Sequence, residues 1–201
     1  PKSWLMMAGD ETLAILDESF VYPSKLALQD QQKLTKEFDR MASLVLKGQN
    51  AKLVFRQSEE IGPNAFALPG GVVVLTDELV QIAEDQAGVI GVLAHELGHV
   101  HLKHPARRLV RSLMAVALVS LIFDDAATFA EELAAVSGSL ISLAYTREFE
   151  EEADQAGKEI LIRAGLSPIP LANLLQKLSD GCQENCSQLP EWLTTHPSVP
   201  S

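Results

Sequence analysis

The sequence predicts an α+β fold, mainly α, with one small three-stranded sheet, and three observations carry that prediction. The chain has 201 residues, 47% of them hydrophobic, which suits a single domain with a substantial core and is too short for two large ones. Only one region is rich in β-forming residues: Lys52–Arg56, Ala65–Leu68 and Gly71–Leu75, separated by Gly62-Pro63-Asn64 and Pro69-Gly70-Gly71. Elsewhere apolar residues recur at helical intervals. The single domain over residues 1–201 therefore divides into an N-terminal arm and helix (1–48), a small sheet (50–76) and a helical part (77–201).

Residues 1–25 mix short apolar groups with Gly9, Asp10 and Pro23 and read as an irregular arm with one short element. From Ala27 to Leu46, the apolar positions Leu34, Phe38, Met41, Leu44 and Val45 fall at helical spacing and Gly48 ends the pattern, giving a surface helix of about five turns. The three β runs follow, the last two paired as a hairpin across Pro69-Gly70-Gly71. Thr76-Asp77-Glu78 reads as a helix start with Thr76 or Asp77 as N-cap, and a further helix begins near Asp85 and runs to about Lys103.

Downstream, Leu113 to Phe123 is almost entirely apolar, but as a helix it rises only about 16 Å, short of the ~30 Å hydrocarbon core of a bilayer. Leu133 to Leu143 is a second apolar stretch, softened by Ala, Ser and Gly. Two readings of this region stand: helices buried on the core, or a hairpin that covers a cleft, dips into a membrane or meets a partner through residues 109–143. Cys182 and Cys186 could close a small disulfide in an oxidising compartment or remain thiols in a reducing one. A net charge of -11 argues against a nucleic-acid or anionic-membrane partner, since both recruit clustered Lys and Arg.

The chemistry centres on His95-Glu96-Leu97-Gly98-His99 within the predicted helix. Residues i and i+4 lie one above the other on a helix, so the two imidazoles can hold one metal ion, and two neutral imidazoles at this spacing suit zinc. Glu96 beside them is placed to act as general base on a water at the open position of the metal. A third ligand should be acidic and come from another helix. The run Glu148 to Asp154 supplies candidates: Glu150 and Asp154 share a face, so one carboxylate can bind the metal while the other accepts a hydrogen bond from a ligand imidazole. His101 and His104 are read as lying on the metal helix but rotated by more than 100° from the ligand face, hence structural or surface groups.

Taken together, His95-Glu96-Leu97-Gly98-His99, Glu150-x-x-Ala153-Asp154, Asn64-Ala65-Phe66-Ala67-Leu68-Pro69-Gly70-Gly71 and Thr195-His196-Pro197 resemble the zinc metalloendopeptidases typified by the CaaX prenyl protease, HtpX and the Oma-type proteases. The motifs occur in the family's order over roughly residues 50–200, with Thr146 where the family often has Ser. The resemblance implies a compact, gluzincin-like zincin domain in which the edge strand of the small sheet flanks the zinc cleft. It implies one Zn2+ per chain on His95, His99 and Glu150, with Glu96 as catalytic base and Asp154 supporting a ligand from behind. Residues Ala65 to Leu68 should then form an exposed edge strand that pairs with an extended polypeptide substrate, with Asn64, Ala65, Phe66 and Ala67 as the substrate-binding residues. His196 is expected to be catalytic, either plugging the metal's fourth position or donating to the oxyanion.

Two other classes remain open from the sequence: a chaperone-like or scaffolding envelope protein that keeps a zinc site, and a zinc hydrolase of a non-peptide bond. The chain begins at Pro1 without a Met, a charged n-region or an apolar h-region. The resemblance implies the bacterial cell envelope, since the family's bacterial members are mostly inserted in, anchored to or facing it. The missing Met and the Cys pair fit a trimmed domain there, periplasmic or membrane-associated, with cytoplasmic residence as the alternative.

Overall fold

A computed structural model describes residues 2–83, 85–123 and 145–180 of the chain. Its helices in chain order are α1 (Lys2–Ser19), α2 (Leu28–Val45), α3 (Asp77–Ile82), α4 (Gln86–His101), α5 (His104–Phe123), α6 (Arg147–Arg163) and α7 (Ile169–Asp180). The strands are β1 (Tyr22–Pro23), β2 (Lys52–Gln57), β3 (Ala65–Ala67) and β4 (Val72–Thr76), in the sheet order β1-β2-β4-β3.

The sheet has four strands among the described residues, not three. The added strand pairs antiparallel with β2, Tyr22 opposite Gln57 and Pro23 opposite Arg56. Two residues with a proline give almost no strand signal, yet proline is tolerated at a sheet edge because no ladder donor is needed there. At the sheet's centre β2 and β4 run parallel from Lys52↔Val72 to Arg56↔Thr76. The expected hairpin joins β3 to β4, with Phe66 opposite Val74, across a 3-10 turn Pro69–Gly71 in which Gly70 and Gly71 take φ of 79° and 92°.

Both faces of this sheet are covered, which explains the unbroken apolar run Val72–Leu75. On one face Leu53, Phe55, Ala65, Ala67, Val73 and Leu75 join a core with Leu34, Phe38 and Met41 of α2 and Val89, Val92, Leu93 and Leu97 of α4. On the other, Val54, Phe66, Val72 and Val74 pack with Leu16 of α1 and with Val21.

The N-terminal segment departs from expectation, being an 18-residue helix rather than an irregular arm. Its inward stripe includes Gly9, Thr12 and Leu16, so two of these three buried positions carry no apolar signal. Thr12 satisfies its hydroxyl on the Ala8 carbonyl at 2.7 Å. Gly9 lets the helix lie directly on the turn, since a Cβ there would collide with the Pro69 carbonyl. Tertiary contact, not local pattern, holds this helix.

Other starts follow local chemistry. Thr76 caps α3 by accepting from the Leu79 N–H, Asp85 caps α4 through Gly88, and Thr146 caps α6 through Phe149. The surface helix predicted from Ala27 to Leu46 is α2, inward through Leu34, Phe38, Met41 and Val45. Residues Leu113–Phe123 do continue a helix, α5, on which Met114 is 60% exposed. No described helix is long and apolar enough to cross a membrane. Residues 124–144 and 181–201 lie outside the described residues, and with them the Leu133–Leu143 stretch, Cys182, Cys186 and His196.

Helices α4 and α6 approach closely because small residues meet there. A Cβ on Gly98 would lie 2.8 Å from the Ala153 carbonyl oxygen, and one on Gly157 would lie 3.0 Å from the His95 Cα. Gly98→Ala should therefore destabilise the protein by about 1–3 kcal/mol through overpacking, reduced by the ~1 kcal/mol that Ala gains over Gly in a helix. A urea midpoint equal to or above that of the wild type would show that the helices can separate at no cost.

Candidate metal centre

Two turns of α4 place His95 and His99 on one face, and the close contact with α6 brings Glu150 onto them. His95, Glu96, His99 and Glu150 are all buried, although each is polar or charged. The His95 and His99 Nε2 atoms lie 3.0 Å apart. Glu150 Oε2 is 3.4 Å from His95 Nε2, and Oε1 is 3.4 Å from His99 Nε2. These three side chains form a cluster of potential metal ligands, the one group of its kind among the described residues.

The donor set fits a divalent cation. Tetrahedral coordination at about 2.0–2.1 Å would separate ligand atoms by roughly 3.3–3.4 Å, close to the spacings found. The outer nitrogens agree with this. His95 Nδ1 lies 2.9 Å from Asp154 Oδ1, and His99 Nδ1 lies 2.9 Å from His104 Nδ1. When both Nδ1 atoms carry protons and donate outwards, both Nε2 lone pairs face Glu150.

Electrostatics favour positive charge at the same point. Burial opposes a charged His95, but the hydrogen bonds its ring donates to Asp154 and Glu150 and the charges of Glu96 and Glu150 outweigh it and push its pKa up to about 10, from 6.5. A metal competes with that proton. The sign follows from the upward shift: in metal-stripped protein the protonated His95 stabilises the fold below about pH 6.5, and this is lost as pH rises towards about 10. Melting temperature should fall over that range in EDTA-treated protein and fall less with Zn2+ added. Equal slopes in both samples would contradict the assignment.

Around the cluster the rings are closely packed. Tyr145 stacks on His99 with centroids 4.1 Å apart, and its hydroxyl donates to the Ala67 carbonyl at 3.2 Å. Burial, with the nearby charges of Glu96 and Glu150, raises the Tyr145 pKa well above its usual value, so it remains a neutral donor. Neither the pairing with His99 nor the bond to β3 was legible in the sequence, where Tyr145 stands alone after an apolar stretch.

His104 is the clearest correction. It does not continue the metal helix: α4 ends at His101, Lys103 takes a left-handed φ of 59°, and His104 opens α5. The chain reversal carries a fully buried imidazole back onto His99, so it is neither a surface group nor remote from the ligand face. His104 also contacts Glu152 Oε2 through Nε2 at 2.9 Å. Burial lowers its pKa against the opposing pull of Glu152. His101, by contrast, is exposed.

Strand β3 is last in the sheet order, next to α4, but Asn64, Ala65, Phe66 and Ala67 are buried rather than exposed. The Asn64 N–H is held by the Thr76 hydroxyl at 2.8 Å, and the Thr76 N–H donates to the Asn64 carbonyl at 3.0 Å. In the antiparallel register this turns the main-chain groups of Ala65 and Ala67 away from β4, and the Ala67 carbonyl is the group that Tyr145 caps.

Comparison with known proteins places the chain among proteases. The chain is 35% identical over 144 residues, 67% of its length and 29% of the relative's, to the beta-barrel assembly-enhancing protease of Yersinia pestis. It is 34% identical over 145 residues to the Escherichia coli (strain K12) protein of the same name, with the same coverage of 67% and 29%. It is 30% identical over 143 residues, 68% of its length and 40% of the relative's, to the mitochondrial metalloendopeptidase OMA1 of Saccharomyces cerevisiae. The chain thus spans less than half of each of these relatives. Residues 28–201 match the profile of peptidase family M48, which takes in every helix and strand that builds the His95, His99 and Glu150 cluster, and the chain belongs to that metallopeptidase family.

Proposed function

We propose that this chain is the catalytic domain of a zinc-dependent metalloendopeptidase that hydrolyses peptide bonds of extended or misfolded proteins. The observation that carries this reading is the convergence of two imidazole Nε2 atoms and the Glu150 carboxylate at 3.0–3.4 Å in a buried site. His95, His99 and Glu150 would hold one Zn2+. Zinc, when bound, supplies Lewis-acid polarisation of a carbonyl and lowers the pKa of water to about 7.

The chain's own residues account for the remaining chemistry. Glu96 accepts the proton of the attacking water and delivers it to the leaving amine. Asp154 holds the His95 ring and its tautomer. Within the stretch Asn64 to Ala67, Ala65 and Ala67 offer the main-chain groups that face away from β4 to an extended substrate, once the cover over β3, including the Tyr145 hydroxyl, gives way, while Asn64 and Phe66 stay tied to β4. His196 adds a second catalytic imidazole, a role supported by its place in Thr195-His196-Pro197.

The beta-barrel assembly-enhancing proteases enhance, by their name, the assembly of β-barrels, and β-barrels include the closed sheets that span bacterial outer membranes. We extend that setting to this chain: protein quality control in the bacterial cell envelope, on a periplasmic or membrane-associated face, with residues 109–143 as the contact to a membrane or partner. The test is cleavage of an unfolded casein-type substrate, abolished by 1,10-phenanthroline and restored by Zn2+. Zinc uptake without cleavage would support a scaffolding role, and chelator-resistant cleavage would overturn the metal mechanism.

A further inference from the structure

We infer that His104, backed by Glu152, is a positioning residue that fixes the tautomer and ring orientation of His99, so that this ligand is held through a His99–His104–Glu152 hydrogen-bond chain. The inference rests on the zinc reading above and deepens it.

The two ligand imidazoles are supported differently. His95 meets a carboxylate directly, Nδ1 to Asp154 Oδ1 at 2.9 Å. His99 meets another imidazole, Nδ1 to Nδ1 at 2.9 Å, and that imidazole meets the carboxylate, Nε2 to Glu152 Oε2 at 2.9 Å. Proton positions follow from the partners. A carboxylate only accepts, so His104 Nε2 carries the proton and donates to Glu152. A neutral His104 then has its lone pair on Nδ1 and accepts from His99 Nδ1–H. That leaves the His99 Nε2 lone pair facing His95 and Glu150, as a ligand requires.

The His104 ring is fixed well enough for this task. It stacks on Phe149 with centroids 4.3 Å apart and planes 3° from parallel. Phe149 directly precedes Glu150 on α6, so the same helix turn supplies both a ligand and the platform for the positioning ring. Arg107 bonds Glu152 at 3.1 Å and lies 4.4 Å over the Phe149 ring, holding the far carboxylate in place. Arg111 also faces Phe149, at 4.9 Å. His104 is fully buried, whereas the Glu152 side chain is 38% exposed, so the chain of bonds runs from the protein surface to the buried centre.

The experiment measures Zn2+ affinity by chelator competition for the wild type, His104→Phe, His104→Asn and Glu152→Ala. Phe keeps the stack on Phe149 and removes the acceptor; Asn places an oxygen near the position of Nδ1. His104→Phe should lose about 10- to 100-fold in affinity, and His104→Asn should recover most of that loss. Glu152→Ala should lose less, because water reaches the place of a half-exposed carboxylate. In 15N-labelled, zinc-loaded protein the exchange-protected His99 Nδ1–H signal should be present in the wild type and the Asn variant and lost in the Phe variant. The inference is overturned if His104→Phe binds Zn2+ as tightly as the wild type, or if the Asn and Phe variants lose equally. Failure of the wild type itself to take up Zn2+ would overturn the zinc reading and this inference with it, so the two failures are distinguishable.

Discussion

Glu96→Gln should reduce peptide cleavage by about 10²- to 10⁴-fold while leaving Zn2+ bound at full stoichiometry, the loss expected when a general base is removed from a hydrolytic step. Glu96 is fully buried beside His95, and its charge acts on both His95 and Tyr145. Gln has the same shape, so the packing of α4 is kept and only the proton-accepting carboxylate is removed. Metal content by atomic absorption and cleavage of an unfolded substrate, measured on one preparation, check this. Retention of wild-type cleavage would remove Glu96 from the mechanism, and loss of zinc together with cleavage would assign it to the metal site instead.

Glu150→Ala should have the second largest effect, on metal binding itself. Glu150 is buried and reaches both imidazoles, whereas the neighbouring Glu151 is exposed. Its removal should weaken Zn2+ binding by more than the about 10- to 100-fold expected for Asp154→Ala, which takes away only the support behind His95. Glu151→Ala should bind as the wild type does. Thermal shift reads the same order, because a ligand at 100 times its Kd stabilises the native state by about 2.7 kcal/mol and a variant that cannot bind gains none of it. Full affinity in Glu150→Ala, with loss in Glu151→Ala, would relocate the ligand within the acidic run.

Local chemistry made much of the site legible in advance. The i, i+4 spacing of His95 and His99 stacks their rings on any helix, whatever the helix packs against. Thr76 and Asp85 can satisfy orphan N–H groups where they stand, so those two helix starts were readable, whereas the same role of Thr146 at α6 emerged only from the structure. The face shared by Glu150 and Asp154 was likewise present in the sequence. Burial then separates the two, with Glu150 inside the cluster and Asp154 behind it.

What escaped the sequence shares one physical cause, dependence on residues far away in the chain. The α1 stripe runs through Gly9 and Thr12, residues chosen by the turn and core they touch. Strand β1 exists only because β2 offers it a ladder. The burial of β3 comes from elements packed over a strand that topology alone would leave open.

By itself, then, the sequence determined the shared face of His95 and His99 on α4, the starts of α3 and α4 and the β runs, because each is settled within one or two turns of chain. Only the tertiary structure decided that His104 lies against His99, since one left-handed residue, Lys103, reverses the chain, and the glycine contacts Gly98 and Gly157 let α6 close onto α4. Spacing along a helix cannot report an imidazole that returns from the next helix, and Glu152 becomes its partner only when those two backbones come within van der Waals contact.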